Sequence, residues 1–187
     1  MKKGLLIILS GPSGVGKGTV RSIFVKDPSL NIAFSVSMTT RTQRPGEVDG
    51  VDYHFVSKER FLEAIEKDEL IEYAEFVGNY YGTPLKAVED LRNQGKNVLL
   101  EIEVQGASQV KAKVEDALTI FLVPPSMEEL EKRIRGRRTE DEAIVSKRLA
   151  KAAKEMELVG SYKFVVCNED PELAAEIISL IIKRHME

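Results

Sequence analysis

Four apolar runs stand out along the chain: Leu5–Leu9, Val98–Ile102, Leu118–Val123 and Phe164–Cys167. Each reads as a buried parallel strand. Helical stretches lie between them: Gly16–Val25, Pro84–Gln94 and Gln105–Lys113. Pro84 suits an opening turn and Gly95 a helix end. Ser126-Met-Glu-Glu129 and Thr139-Glu-Asp-Glu142 match capping boxes and predict helix starts. Asp170-Pro171 opens a last helix, in which Leu173, Ile177, Ile178 and Ile181 form a stripe expected to face the core. Strands alternating with helices imply an α/β fold, a parallel sheet covered on both faces.

Residues 34–83 break the alternation. They hold short strand-like pieces (Phe34–Ser37, Tyr53–Val56, Leu70–Phe76) and a polar loop from Thr39 to Asp52, which reads as an inserted lobe. Residues 125–158 are polar, arginine-rich and helical, which reads as a second, mobile lobe. The expectation is one domain over 1–187, with a core of 1–33, 84–124 and 159–187 carrying both insertions.

Composition bounds the partners. The 187 residues suffice for one sizeable core with inserted lobes, and 43% hydrophobic with 30% charged is ordinary for a globular chain. A net charge of −3 gives no global pull toward nucleic acid or anionic membrane, so neither is expected as a partner and basic residues act locally. The lone cysteine, Cys167, permits no internal disulfide, which fits a reducing cytoplasm. It closes an apolar run and is expected to pack in the core. No apolar run approaches a membrane span. Lys2-Lys3 before the first run imitates a signal peptide, but the run is short and no small-residue cleavage site follows.

The first strand runs straight into Gly11-Pro12-Ser13-Gly14-Val15-Gly16-Lys17-Gly18-Thr19 and then a helix. Strand, glycine loop, lysine and helix together make a phosphate cradle. Gly11, Gly14 and Gly16 let successive backbone N–H groups turn inward, and the helix adds its positive end. Lys17 reaches the β- and γ-phosphates as a point charge. Gly18 stands where Ser or Thr usually supplies a hydroxyl to Mg²⁺, while Thr19 can donate to a phosphate oxygen. Mg²⁺ brought with ATP is then expected to be held mainly by phosphates, water and outer-shell carboxylates. Adenylate-kinase-like enzymes tolerate Gly-Lys-Gly-Thr, which points toward a nucleotide kinase.

A second constellation is Ser37-Met-Thr-Thr-Arg41-Thr-Gln-Arg44-Pro-Gly-Glu-Val-Asp-Gly-Val-Asp-Tyr53, where forked guanidiniums can converge on one anion. With Glu72, Gly78-Asn-Tyr-Tyr-Gly-Thr83, Glu101-Ile-Glu-Val-Gln-Gly106 and Arg133-Ile-Arg-Gly-Arg137-Arg-Thr-Glu followed by Lys147-Arg148, the chain resembles a guanylate kinase of the free-standing, bacterial-like type over essentially its whole length. The resemblance implies the P-loop nucleoside monophosphate kinase fold: a parallel five-stranded core sheet flanked by helices, a GMP-binding lobe at 34–83 and a helical lid at 125–158. It implies transfer of the ATP γ-phosphoryl group to GMP, giving ADP and GDP.

The resemblance also implies roles. Residues Gly11 to Thr19, with Arg133 and Arg137, bind ATP; Arg41, Arg44, Tyr53 and Tyr81 hold the GMP phosphate, with Arg148 reaching it from the lid. Ser37, Glu72, Thr83 and Glu101 read guanine. A carboxylate such as Glu72 can accept from guanine N1–H and N2–H₂ together, while O6 suits a hydroxyl such as Thr83 or Ser37. Lys17, Arg41, Arg137 and Arg148 supply catalytic charge. The family often has Asp where this chain has Glu101 and Glu103, and Glu103 is expected to order Mg²⁺ through water. Without the resemblance, Arg133, Arg135 and Arg138 read as a salt-bridged surface helix, and Glu72 as a solvated strand carboxylate. His54 and His185 have no partners at ligand spacing and read as structural or solvated. Two rivals remain at this level: a peptide-binding scaffold of the same fold, and a kinase for another monophosphate. Whether the chain is a monomer or a homo-oligomer is open.

Overall fold

The computed structural model describes residues 2–136 and 141–187. In chain order its elements are β1 Leu6–Ser10, α1 Lys17–Phe24, β2 Ile32–Ala33, β3 Met38–Thr39, β4 His54–Phe55, α2 Lys58–Glu66, β5 Leu70–Phe76, β6 Asn79–Pro84, α3 Leu85–Asn93, β7 Asn97–Glu101, α4 Val104–Lys113, β8 Leu118–Val123, α5 Met127–Gly136, α6 Glu142–Met156, β9 Phe164–Cys167 and α7 Pro171–Met186. A five-stranded parallel sheet has the order β2-β7-β1-β8-β9, and helices flank it. A four-stranded sheet has the order β4-β3-β6-β5.

Internal contacts divide the chain into two compact units. One comprises the residues up to Leu6, Ala33–Leu100 and Gln105–Ala117; the other comprises Ile7–Ile32, Glu101–Val104 and Leu118–Glu187. The expected lobe 34–83 falls inside the first and the expected lid 125–158 inside the second.

In the first unit, Phe61, Ala64 and Leu70 form a buried cluster on which Met38, Val56, Ile65, Tyr73 and Tyr80 pack. Gly82 eases the packing there: a Cβ would lie 3.0 Å from the Phe61 ring, from Leu70 Cδ1 and from the Glu72 carbonyl, so these neighbours would have to give by a few tenths of an ångström. Arg92 is buried at 2% exposure, and its Nε donates to the Gly4 carbonyl while its guanidinium pairs with Glu89 and Asp116. A buried charge needs such partners to be tolerable.

In the second unit, β1 is buried along its length and pairs with β8 from Ile7↔Leu118 to Ser10↔Phe121. Helix α5 is capped by Ser126, whose Oγ accepts from Glu129 N at 3.1 Å, as the capping box requires. The start of α6 differs from expectation: Asp141 is the cap, its carboxylate accepting from Ala143 N at 3.4 Å, and Thr139 lies outside the described residues. Asp170 caps α7 by accepting from Leu173 N at 2.9 Å.

Three sequence expectations are corrected. Cys167 is exposed, because β9 is an edge strand whose side chains alternate in burial. The core face of α7 is Ala174, Ala175, Ile178 and Ile182, whereas Leu173 and Ile177 are exposed. Helix α7 packs against α1 and β9, and the face it buries lies about one position from the one its apolar residues mark. In 34–83 the ordered strands are Met38–Thr39, His54–Phe55, Leu70–Phe76 and Asn79–Pro84, so Phe34–Ser37 is not a strand and Phe34 is exposed. His185 Nδ1 lies 2.7 Å from the Ile181 carbonyl and its ring meets Phe164 edge-on. Among the described residues no helix is long and apolar enough to cross a membrane.

Candidate active site: a phosphate cradle and an acceptor pocket

The cradle belongs to the second unit. Strand β1 ends at buried Ser10, whose Oγ donates to the Ile102 carbonyl at 2.8 Å. Glycine is needed in the loop beyond for both conformation and space, as Gly14 and Gly16 illustrate. Gly14 has φ +86° and a Cβ there would meet Ile134 at 2.8 Å; Gly16 has φ +97° and would meet Asn168 Nδ2 at 2.6 Å. Gly16 is the N-cap of α1 and no side chain caps it, so the first-turn N–H groups can serve an anion. Gly18 differs: the nearest atom to a Cβ there is Glu101 Oε1 at 3.9 Å, so its small size is not enforced by packing.

Lys17 Nζ donates to the carbonyls of Gly11 at 2.6 Å and Pro12 at 3.3 Å, folding back over its own loop. Burial holds the Lys17 ammonium below its ordinary pKa, opposed by Glu101, Glu155 and Glu103. These carboxylates are engaged: Glu101 with Arg21 at 2.9 Å, Glu103 with Lys151 at 2.7 Å, and Glu155 with Lys151 at 3.8 Å. A cleft of about 540 Å³ is lined by Ser13, Lys17, Gly18, Thr19, Glu101 and Glu103 among others.

Two arginines from α5 and α6 reach the loop. Arg148 Nη2 donates to Ser13 Oγ at 3.1 Å, and Arg133 Nη1 donates to the Val15 carbonyl at 3.4 Å while pairing with Glu129. Arg135 is a surface arginine, tied to Glu131 and Glu142. Arg137 and Arg138 lie outside the described residues. Asn168 and Glu155 were not singled out in the sequence. Asn168 is buried and donates to the Val15 carbonyl at 2.7 Å. Glu155 is 9% exposed and its carboxyl lies near the Ser13 backbone, two helical turns from Arg148 on α6. The spacing 148, 151, 155 on one helix face is the signal that could have found it.

Most of the residues expected to hold the acceptor, Ser37, Arg41, Arg44, Tyr53, Glu72, Tyr81 and Thr83, belong to the first unit. Antiparallel β5 and β6 set Glu72 opposite Thr83. Both are buried, at 8% and 2%, and Thr83 Oγ1 donates to Glu72 Oε1 at 2.5 Å. Burial raises the Glu72 carboxyl above the usual carboxylate range, with the Thr83 hydroxyl opposing. The solvated-carboxylate reading of Glu72 is thereby corrected. Strand β3 places Thr39 beside Tyr81, and its Oγ1 donates to the Tyr80 carbonyl at 2.9 Å.

Arg41 lies over the rings of Tyr53 and Phe55, at 5.5 and 5.7 Å, and the Tyr53 and Tyr81 rings meet edge-on at 6.1 Å. Arg41, Tyr53 and Tyr81 are thus brought together. Glu47, unassigned in the sequence, organises this corner: Oε1 accepts from Arg41 Nη2 at 2.7 Å and Oε2 from the Arg44 backbone N–H at 2.8 Å. The bond to Glu47 is the main reason the Arg41 guanidinium is held still more firmly protonated. Ser37 contributes its carbonyl to His54 N at 2.8 Å. Glu101 belongs to the second unit, where it pairs with Arg21 at 2.9 Å.

A family model described as guanylate kinase matches residues 3–185. A solved guanylate kinase from Anaplasma phagocytophilum is 39% identical, covering 99% of this chain and 87% of that one, with a TM-score of 0.74. The SH3-kinase fragment of tight junction protein 3 in its apo form is 10% identical, covers 99% of this chain and 58% of that one, and has a TM-score of 0.51. Shikimate kinase from Bacteroides thetaiotaomicron is 14% identical over 96% of this chain and 98% of that one, with a TM-score of 0.50. The latter two share the fold alone. Matched from residue 3 to residue 185, the chain belongs to the guanylate kinase family.

Proposed function

We propose that this chain transfers the γ-phosphoryl group of ATP reversibly to GMP, giving ADP and GDP. The observation that carries the reading is the buried Glu72–Thr83 pair in a chain that also keeps a complete phosphate loop. A peptide-binding scaffold needs neither a buried base-reading carboxylate nor a lysine over a phosphate cradle.

Each part has a task. The loop from Gly11 to Thr19 and the start of α1 bind the triphosphate through backbone N–H groups. Lys17, released from the Gly11 and Pro12 carbonyls, neutralises the β- and γ-phosphates. Arg41, Arg44, Tyr53 and Tyr81 hold the acceptor phosphate. Glu72 accepts from guanine N1–H and N2–H₂, and the hydroxyls of Ser37 and of Thr83, the latter turned away from Glu72, donate to O6. Adenine would leave buried polar groups unpaired there, which sites of this kind reject strongly. Arg133, Arg137 and Arg148 close positive charge over the transferring group and keep water out.

The acceptor is already an anionic phosphate oxygen, so no general base is needed; positioning and charge neutralisation suffice. Glu101 and Glu103 line the cleft as oxygen donors suited to a hard cation held through water. Mg²⁺ bound with ATP would supply further neutralisation of the phosphates. We place the protein in the cytoplasm on its single cysteine and its substrates.

Lys17→Ala tests the assignment. Loss of one preorganised cation should lower kcat by about 10²–10³-fold, with the KM for GMP changed by about twofold or less. Equal effects on kcat and on GMP affinity would contradict it.

A further inference from the structure

Glu72 owes its direction to more than its own strand. On α4, Gln109 bonds both backbone groups of Tyr73: Nε2 donates to the carbonyl at 2.8 Å and Oε1 accepts from the N–H at 3.0 Å. β5 is an edge of its sheet, so a primary amide in this pose replaces the bond pair that a further strand would make. One turn along α4, Lys113 Nζ donates to the Leu70 carbonyl at 2.7 Å and pairs with Asp68.

Between these two attachments the register slips. Leu70 faces Pro84 and Glu72 faces Thr83, so two residues of β5 are spanned by one step of β6. Such a bulge re-aims side chains, and a one-residue slip turns every side chain to the other face. The bulge is bracketed by Lys113 before it and Gln109 after it.

We propose that Gln109 is a positioning residue for base selection, holding Tyr73 so that the bulge aims Glu72 at the guanine edge of the acceptor. The proposal rests on the reading of Glu72 as the base reader. The competing role is plain attachment of a helix to a sheet, which would move stability without moving selectivity.

Inosine monophosphate separates the two. It keeps the N1–H and O6 of GMP and lacks the N2 amine, so it loses one of the two contacts that a well-aimed Glu72 makes. The experiment uses the full chain carrying Gln109→Met, of similar length without hydrogen bonds, and Gln109→Glu, which keeps the acceptor for Tyr73 N–H and loses the donor. Kinetics with saturating Mg-ATP would be read for GMP and for inosine monophosphate, with thermal melts alongside.

The KM for GMP is expected to rise about tenfold in Gln109→Met and that for inosine monophosphate by about threefold or less, so selectivity falls. The KM for ATP should stay within about twofold. In a Glu72→Gln background the Gln109 substitution should change selectivity no further, as expected for residues acting through one another. Equal losses with both acceptors, or additive losses in the double variant, would overturn the proposal. Should Gln109→Met fail to fold, Gln109→Glu decides by the same ratio, and failure of both to fold assigns Gln109 to stability and overturns it too. Wild-type protein without GMP-dependent turnover would instead overturn the functional reading itself.

Discussion

Thr83 Oγ1 donates to Glu72 Oε1 at 2.5 Å across the β5–β6 pair, and both side chains are buried. A buried carboxylate without a donor is costly, and this hydroxyl offsets part of that cost. Thr83→Val, similar in shape without the donor, should cost about 1–3 kcal/mol in urea unfolding, and Thr83→Ser should recover most of it. Equal stability of the Val and Ser variants would remove the hydrogen bond from the account.

Glu72 itself should weaken the free protein at neutral pH. Burial raises its folded-state pKa above the ordinary 4.5. The folded chain then holds this proton at pH values where the unfolded chain has released it. Its contribution to stability is complete below the ordinary value and is lost as pH rises through the folded value. Glu72→Gln should therefore raise the urea midpoint at pH 7.5, with the gain vanishing near pH 4. The same variant should weaken GMP binding by about tenfold or more, because the amide points a donor at a donor. A Gln variant less stable than wild type at pH 7.5 would contradict the assignment.

Glu155 places a negative charge beside the cradle that must receive a polyanion. Burial raises its pKa, and Lys151 and Lys17 oppose the shift. Glu155→Gln keeps the size of the side chain and removes the charge. ATP should bind about three- to tenfold tighter at low salt, with the gain shrinking as ionic strength rises. Weaker ATP binding would show instead that the charge organises the loop.

The cradle and the central strands were readable in the sequence because both rest on local rules. Glycines with positive φ before a lysine and continuous apolar runs leave little choice. The acceptor side was harder. Asn79–Pro84 is a strand although Asn, Gly and Pro disfavour strands, because pairing with β5 overrides propensity. The burial of Glu72 depends on Thr83 and on the bulge at Ile71, neither of which has a signature in the chain itself. Glu47, Gln109 and Glu155 act through tertiary contacts with Arg41, Tyr73 and Ser13, and sequence spacing alone does not mark such partners. Cys167 and the α7 stripe were misplaced because an apolar run does not reveal whether its strand lies at an edge, nor a helix which of its residues the neighbouring elements cover.

The central claim is that the acceptor pocket selects guanine while the cradle delivers phosphate from ATP. The direct measurement is ADP formation from Mg-ATP with GMP, AMP, CMP or UMP as acceptor, beside a control without acceptor. Turnover with GMP and little with the other three or with none is the expected result. A folded sample that turns over equally with all four, or with none of them, would contradict the account.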